Sequence, residues 1–471
     1  MTHANKKNNL HFQEGNKKNV RLSHELDVNR KKVQEIFAQI VQRAPEHKIQ
    51  PSLDRVVDAL DILGNPQLAY PVVHVAGTNG KTSTSRMIDS LMTAWGTKTG
   101  RFTSPHLCVP NERISIAGEP ITDETFIYAY EDVLPYIKMA DENSLKKQGP
   151  RLSFFELLTV MAYAYYADAP VDVAIMEIGM GGLWDCTNVV DAAVSVITPI
   201  SIDHTKWLGS TLSEIATQKA GIIKENQIVI VGRQDPEAEK VIREKIEKVS
   251  AKAYFMDKDM KILDRKIAVG GQLLTIQTPF GIYENVFLPL HGEYQAENAL
   301  LALCATEAFY GSKTIDAKVV ESGFLNASSP GRLEIVRTSP TVVVDATHNP
   351  GGAKVLSQAV CEIFPQAYIT GIFSAMADKD VESILLEMEK VVAQIVLVQM
   401  SSDRGMDIKE LEKIAVNVFG EERVHIATDL LDAIDKATAI SDTNAQCMAG
   451  SVILSFGSVY LAGEIRRMFK K

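Results

Sequence analysis

The sequence predicts an α/β protein with two successive parallel sheets, the first of which carries a small antiparallel patch. The chain has 471 residues, more than one hydrophobic core usually spans. Apolar, β-rich runs alternate with helical patterns, which is typical of a buried parallel sheet covered on both faces. Between about residues 253 and 290, short alternating segments and glycine turns indicate antiparallel strands instead. We therefore expect a parallel-sheet domain followed by a Rossmann-like α/β domain.

The boundaries follow from where the pattern begins and restarts. Residues 1–28 are polar and predict a flexible tail, followed by a helix near residues 29–44. Turn residues at 326–332 predict a linker, which gives domains at 29–325 and 333–471. The predicted strands of the first sheet are 72–76, 171–176, 193–197 and 228–231. Those of the second sheet are 341–344, 368–373, 395–398 and 452–456.

Composition excludes several classes of function. A net charge of −10 argues against nucleic-acid binding, which requires a basic surface. No apolar run approaches the roughly 20 residues that cross a bilayer, and the first residues do not resemble a signal peptide. We expect a cytoplasmic protein without a membrane partner. The cysteines lack the spacing of a zinc cluster or a disulfide framework: Cys108, Cys186, Cys304, Cys361 and Cys447.

A glycine-rich turn between strand 72–76 and the helix that follows predicts an anion site. Backbone N–H groups of the turn and the helix N-terminus can both face phosphates, with Lys81 at their end. Val75 stands where the long P-loop pattern requires glycine, so a chance Gly-Lys-Thr turn remains an alternative. The residues of the turn and the helix start are Gly77, Thr78, Asn79, Gly80, Lys81, Thr82 and Ser83.

Charged side chains follow other predicted strands or end a helical stretch. Glu177 and His204 stand at carboxyl ends of strands, where α/β proteins place ligands, and an uncompensated Glu177 there indicates a cation. A local turn cap for Glu177 and a structural role for His204 are the alternatives. Lys219 is either functional or a solvated lysine at a helix end. Asn298 lies three residues after Gln295 on one helix face, where both could simply cap the helix.

The short loop Gly-Thr-Asn-Gly-Lys resembles the ATP loop of the Mur ligase superfamily, and from about residue 50 onward the chain resembles its folylpolyglutamate synthase/dihydrofolate synthase branch. The further segments that carry the resemblance follow in order and are 103–107, 111–114, 154–159, 177–182, 203–204, 218–224, 295–299, 330–334 and 345–350.

The resemblance implies an ATP-dependent ligase that adds L-glutamate to a folate carboxylate, and to dihydropteroate, through an acyl phosphate. The first domain would bind ATP with residues 77–83 and Asn298. Arg332 would reach the phosphates, and Asp345 and His348 the ribose and the domain interface. We expect a monomer whose partners are small molecules only.

The same resemblance implies magnesium at Ser104, Glu177 and His204. It also implies that Lys219 is carbamylated and helps to hold a second metal. A monovalent cation is a further candidate. Lys81, Lys219 and His204 would be the catalytic residues. We expect the residues that border the acceptor to be Pro105, His106, Arg113, Phe154 and Phe155, although both phenylalanines could equally belong to a helix core.

Two other functions remain open. The sequence Gly-Lys-Thr-Ser at 80–83 is closer to the cell-wall Mur branch, so a Mur-type UDP-sugar amino-acid ligase is the main alternative. A non-catalytic P-loop switch protein is the second, but it would need neither His204 and Lys219 nor a second ligand domain.

Overall fold

The computed structural model describes residues 27–43, 52–400, 404–444 and 450–470. The predicted tail falls outside them except for its last two residues, which begin the helix α1 at 27–43. Eight strands form the first large sheet in the order β4-β3-β2-β5-β1-β6-β7-β8. They are β1 Val72–Ala76, β2 Thr99–Phe102, β3 Ile114–Ile116, β4 Glu119–Pro120, β5 Val173–Glu177, β6 Val194–Ile197, β7 Ile228–Val231 and β8 Lys252–Phe255.

This sheet is parallel except at one edge, where β3 pairs antiparallel with both β2 and β4. All five residues of β1 are buried, since the strand lies in the interior of the sheet between β5 and β6. Helices cover both faces, as the continuous apolar strands predict. They are α2 Asp54–Ile62, α3 Lys81–Ala94, α4 Asp123–Lys146, α5 Phe154–Asp168, α6 Thr205–Leu208, α7 Leu212–Lys219, α8 Pro236–Lys248, α9 Glu293–Phe309 and α10 Ala317–Leu325.

The predicted antiparallel patch is a three-stranded sheet of β9 Lys261–Ala268, β10 Gly271–Gln277 and β11 Ile282–Leu288. It begins later than the predicted residue 253, because β8 still pairs parallel with β7 in the large sheet. Buried residues of β10 and β11 join the same core as α3 and α9. The patch therefore packs against the first large sheet's helices.

A second large sheet has the order β12-β13-β17-β14-β15-β16 and is parallel except for β12. Its strands are β12 Glu334–Thr338, β13 Thr341–Val344, β14 Tyr368–Phe373, β15 Gln394–Val398, β16 Val424–Ala427 and β17 Ser451–Phe456. Its helices are α11 Pro350–Ile363, α12 Val381–Glu389, α13 Ile408–Phe419, α14 Leu430–Thr443 and α15 Val459–Phe469.

The α/β class with two parallel sheets and an antiparallel patch is thus confirmed. Residues 326–333 contain neither helix nor strand, although the division of the chain into domains stays a prediction. Within the described ranges, no helix combines the length and the apolar character that a membrane-spanning segment needs.

Candidate active site between the two large sheets

A cavity of about 290 Å³ lies between residues that follow strands of both large sheets. Carboxyl ends of parallel strands are where α/β proteins bind ligands. The predicted site residues on its wall are Gly77, Thr78, Asn79, Gly80, Lys81, Thr82, Ser83, Ser104, Pro105, Phe155, Glu177, His204, Lys219, Arg332 and His348.

The loop between β1 and α3 requires glycine at two positions. Gly80 has φ +87°, and a Cβ there would lie 2.4 Å from Asn298 Oδ1. A Cβ on Gly77 would lie 1.9 Å from Thr198 Oγ1. The loop therefore packs tightly against its surroundings and leads directly into the N-terminus of α3, as the predicted anion site requires.

Not all of the loop's N–H groups face the cavity, contrary to our expectation. The N–H groups of Thr78 and Asn79 both donate to the carbonyl of Pro199, at 3.0 and 3.2 Å. These two bonds tie the loop to the segment after β6. The remaining donors for an anion are those of the first turn of α3, which have no acceptor within the helix.

Glu177 is the last residue of β5 and is only 1% exposed. Its Oε1 accepts a hydrogen bond from Thr82 Oγ1 at 2.8 Å, and its Oε2 accepts one from the N–H of Ser104 at 3.4 Å. Burial raises the pKa of Glu177, an effect that Lys81 and Thr82 oppose. These partners are distant in sequence, so Glu177 is not a local turn cap.

Lys81 begins α3 and donates from Nζ to the carbonyl of Thr78 at 3.1 Å. Burial lowers the pKa of this amine, while Glu177 and Asp203 oppose the shift. A phosphate beside Lys81 would supply the negative charge that favours its protonated form.

Lys219 ends α7 with its side chain directed into the interior, and it is 4% exposed. Its Nζ donates to the carbonyl of Gly77 at 2.7 Å. Burial, and then the nearby charge of Lys81, lowers the pKa of Lys219 to about 7. The alternative of a solvated lysine at a helix end is therefore wrong.

Asp203 connects the two large sheets. Lys379 Nζ donates to its Oδ1 at 2.7 Å, and Asn349 Nδ2 donates to its Oδ2 at 3.2 Å. Burial alone would raise the pKa of Asp203, but His204, Lys379 and His348 together hold it well below its usual range. This carboxylate is therefore ionised and fixes side chains from both sheets.

The two histidines beside Asp203 are neutral at physiological pH. Burial lowers the pKa of His204 to about 4 and that of His348 also to about 4. His348 Nδ1 lies 2.9 Å from the carbonyl of Ala346, which can only accept, so Nδ1 carries the proton. A neutral imidazole retains a lone pair that can bind a cation.

Lys379 and Asn349 were not among the predicted site residues. Asn349 had a detectable signal, since Asn followed by Pro350 is typical of a helix start. Its Oδ1 indeed accepts from the N–H of Gly352 at 2.7 Å and caps α11. Lys379 had no signal, because it lies in the turn between β14 and α12 without a recognisable motif.

Arg332 reaches the cavity, whereas Asp345 and Asn298 lie behind its wall. Asp345 is buried and accepts N–H bonds from Leu333 and Thr347, both at 2.8 Å. Asn298 donates to Gln295 at 3.1 Å and packs under Gly80. Both residues thus support segments that line the cavity.

The residues predicted to border the acceptor separate into two groups. Pro105 and Phe155 line the cavity, together with the apolar residues Met180, Trp184 and Leu208. A Cβ on Gly179 would lie 2.3 Å from the ring of Phe155, so glycine is required beside it.

The second group lies behind the wall. Phe154 is 2% exposed and belongs to the core, with the Arg113 guanidinium 5.0 Å from its ring centre. Arg113 Nε donates to His106 Nδ1 at 2.9 Å. Phe37 of α1 contacts both His106 and Phe154 edge-on, at 5.2 and 5.4 Å between ring centres. These residues support the wall and do not form it.

The second large sheet contributes a basic wall. Lys379 and Arg404 line the cavity beside Ser458 and Tyr460, at the N-terminus of α15. Lys379 is paired with Asp203, and Arg404 lies 3.6 Å from Asp378. An anionic ligand there would meet these two cations together with a helix N-terminus.

Known proteins share this architecture and this sequence. Residues 139–306 match the Mur ligase middle domain, and residues 331–459 match the Mur ligase glutamate ligase domain. The dihydrofolate synthase/folylpolyglutamate synthase of Mycobacterium tuberculosis is 44% identical over 447 residues, which cover 91% of this chain and 92% of that protein. The chain belongs to the folylpolyglutamate synthase/dihydrofolate synthase family. The resemblance drawn from the motifs is confirmed.

Other members of the folylpolyglutamate synthase/dihydrofolate synthase family are also similar to this chain in sequence and in fold. The Bacillus subtilis dihydrofolate synthase/folylpolyglutamate synthase is 31% identical, over 90% of this chain and 96% of that protein. Mycobacterium tuberculosis folylpolyglutamate synthase complexed with ADP and AMPPCP superimposes with a TM-score of 0.90 at 43% identity, covering 94% of this chain and 99% of that one. An FPGS–AMPPCP–folate complex superimposes with a TM-score of 0.80 at 27% identity, covering 93% of this chain and 100% of that one. A Mur-type ligase of UDP-sugars is therefore not favoured.

Proposed function

We propose that this chain is an ATP-dependent ligase that joins L-glutamate to a folate carboxylate and releases ADP and phosphate. The observation that carries the proposal is the shared cavity, which combines a phosphate loop, the buried Glu177 and a basic wall from the second sheet. Relatives bind the corresponding ligands, since family structures hold ADP and AMPPCP, or AMPPCP with folate.

The nucleotide phosphates would lie against the first turn of α3, beside Lys81 and Arg332, and His348 would meet the ribose. The Arg332 guanidinium suits this role, since a rigid cationic fork matches phosphate oxygens. Asp345 and Asn298 act through the backbone that they hold, at Leu333 and Gly80 respectively. A 1 Å displacement of such a backbone is enough to impair positioning of the reacting groups.

The wall also fits magnesium. Glu177 is buried, and Thr82 and Ser104 donate to it from neutral groups, a hydroxyl and an N–H, so a bound cation would compensate its charge. Oxygen ligands from Glu177 and Ser104, with the neutral His204, would hold Mg²⁺ there. Bound Mg²⁺ would neutralise charge on the phosphoryl oxygens. A monovalent cation stays a prediction.

Lys219 is suited to carbamylation, because only a neutral amine attacks CO₂. Its pKa of about 7 leaves a substantial neutral fraction near physiological pH. The neutral amine nitrogen of Lys219 forms a bond to the carbon of CO₂, one C=O π bond opens onto its oxygen, and the nitrogen releases one proton. A neutral amine thereby becomes an anionic carbamate. That anion would lie beside Gly77 and Lys81 and could help to hold a second metal ion.

Each substrate meets a matching surface. The pterin or benzoyl part of the acceptor packs against Phe155 and its apolar neighbours beside Pro105. Glutamate brings two carboxylates, which suit the basic wall of Lys379 and Arg404. The acceptor carboxylate then lies between the phosphate loop and the amine.

The chemistry proceeds in two displacements. An oxygen of the acceptor carboxylate attacks the terminal phosphorus of ATP, and the bond to ADP breaks. The glutamate amine, after losing its proton, attacks the acyl carbon, and phosphate leaves. Residues from both sheets line the cavity, and closure of the two sheets around it would protect the acyl phosphate from water.

The same site can serve two acceptors, since dihydropteroate and reduced folates differ in where the reacting carboxylate lies relative to the pterin. We propose both activities for this chain. The names of its Mycobacterium tuberculosis and Bacillus subtilis relatives, which combine the two synthases, support the proposal.

An acceptor panel tests the function. Purified enzyme with ATP, magnesium and labelled glutamate should incorporate label into dihydropteroate and into tetrahydrofolate, supplied separately. The Lys81→Ala variant and omission of ATP are the controls. Turnover of one acceptor alone would leave a monofunctional enzyme. Label in a UDP-sugar but in no pterin, or ATP hydrolysis independent of glutamate and acceptor, would overturn the proposal.

A further inference from the structure

The segment between Ser104 and Arg113 is folded around the carboxylate of Glu112. Its oxygens accept three consecutive backbone hydrogen bonds, from Leu107 at 2.8 Å, Cys108 at 2.9 Å and Val109 at 3.0 Å. Hydrogen bonds to an ionised acceptor are stronger than neutral ones. One side chain therefore fixes the shape of the whole turn, and the site described above gives it no role.

The middle of this segment docks on the final helix of the second sheet. A Cβ on Gly463 of α15 would lie 2.0 Å from the carbonyl oxygen of Leu107, so only glycine permits the contact. The side chain of Leu107 packs on the hydrophobic core of the second sheet. Arg467 Nη1 also donates to the carbonyl of Cys108, at 3.5 Å.

The start of the same segment belongs to the cavity. Ser104 donates its N–H to Glu177, and both Ser104 and Pro105 line the wall. Tyr460, from the first turn of α15, lines the wall as well. A single turn thus touches the buried carboxylate of the first sheet and the helix that carries part of the basic wall.

We propose that Glu112 is a positioning residue for ligation, which makes the position of Ser104 and Pro105 depend on the docking of α15. The inference rests on the proposed function. Glu112 acts through the turn that it folds, because its two oxygens are engaged with backbone N–H groups. Without the three hydrogen bonds to Glu112, the contact between Leu107 and Gly463 no longer determines the position of Ser104 and Pro105 on the cavity wall.

Two variants test the relationship. Glu112→Gln keeps the side-chain shape but removes the negative charge. Gly463→Ala introduces a Cβ against Leu107, although alanine favours a helix more than glycine does. Each should lower kcat/KM for the folate acceptor about tenfold or more and leave KM for ATP unchanged. For Glu112→Gln this is the scale of one lost charge-assisted hydrogen bond, and for Gly463→Ala the cause is the displacement of Leu107. The matched controls are Glu119→Gln and Met468→Ala, at exposed positions.

The double variant is the decisive comparison. Since both changes act through one turn, their combined effect should be no larger than that of the more severe single variant. Multiplicative losses would overturn the proposal, and so would a rise in KM for ATP that equals the effect on the acceptor.

Amide hydrogen exchange tests the same inference without requiring activity. Exchange at residues 107–109 should accelerate in Glu112→Gln and in Gly463→Ala, while the amides of α3 stay protected. Unchanged exchange at 107–109 in Glu112→Gln would overturn the role of Glu112. If the unaltered enzyme ligates glutamate to no acceptor, the proposed function fails, whereas the exchange result still decides whether Glu112 fixes the turn. Thermal unfolding of each variant separates local loosening from loss of the fold.

Discussion

Asn79 and Asn349 exchange hydrogen bonds through their side-chain amides and so join the phosphate loop to the start of α11. Asn349 Nδ2 donates to Asn79 Oδ1 at 3.1 Å, and Asn79 Nδ2 donates to Asn349 Oδ1 at 3.4 Å. The same Asn349 amide also donates to Asp203 and caps α11. This amide pair is therefore one of the contacts that join the second sheet to the loop before α3.

Asn349→Asp is expected to reduce kcat/KM at least about tenfold while the fold is retained. Aspartate still caps the helix, but it replaces an amide donor with a carboxylate that faces the ionised Asp203 and the oxygen of Asn79. Steady-state kinetics measure the loss of kcat/KM, and thermal unfolding shows whether the fold is retained. The control is Asn326→Asp, at an exposed position after α10. Full activity of Asn349→Asp would show that the amide pair does not position the site.

Lys81→Ala should abolish ligation and leave the fold intact. Its charge faces the cavity, and removal of one such contact to a reacting group costs on the order of 10²–10³ in rate. Incorporation of labelled glutamate and circular dichroism check the two parts. Lys313→Ala, at an exposed position, is the control. Unfolding of Lys81→Ala at ambient temperature would instead identify a structural lysine.

Lys219→Ala should impair turnover and be partly rescued by acetate or another small carboxylate, because the proposed carbamate acts as an anion. Lys219→Arg retains a cation and cannot form a carbamate, so it should be inactive without rescue. Activity of the unaltered enzyme should also fall when CO₂ and bicarbonate are removed. Normal turnover of either variant, or a free Lys219 amine in a crystal structure of active enzyme, would contradict carbamylation.

Glu307 predicts a pH dependence of stability that is separate from catalysis. Burial raises its pKa from 4.5 to about 7, although Tyr283 donates to its Oε1 at 2.7 Å. Below pH 4.5 the carboxyl of Glu307 is protonated in both the folded and the unfolded protein. Above it the unfolded chain releases the proton first, so stability falls as pH rises, by on the order of 3 kcal/mol up to pH 7.

Denaturant unfolding of Glu307→Gln between pH 4.5 and 8 checks this origin. In the unaltered protein the free energy of unfolding should fall between pH 4.5 and 7. The variant should lack the part of this fall that Glu307 causes, whatever its absolute stability. Glu321→Gln, on the exposed side of α10, should keep the slope. Equal slopes in the Glu307 variant and the unaltered protein would show that Glu307 does not retain its proton.

The sequence determined the architecture because interior strands must be apolar on both faces. The predicted strands at 72–76, 228–231, 341–344 and 368–373 have the bounds seen in the structure. The glycine-rich loop at 77–83 was also visible, since its two glycines and its place between a strand and a helix leave a local signature. β2 was missed because it contains Arg101, whose buried guanidinium lies 3.3 Å from Asp89 and makes the strand look polar.

Tertiary structure alone decided which side chains meet. Asn349 and Lys379 contact Asp203 across 146 and 176 residues, so no local pattern could pair them. It also decided between the alternatives for Lys219, whose helical position suggested solvent although its amine is buried against Gly77. Local periodicity reports how one element is buried, whereas contacts between elements depend on how the two sheets pack. The site lies between those sheets, and its geometry is therefore a property of the packing.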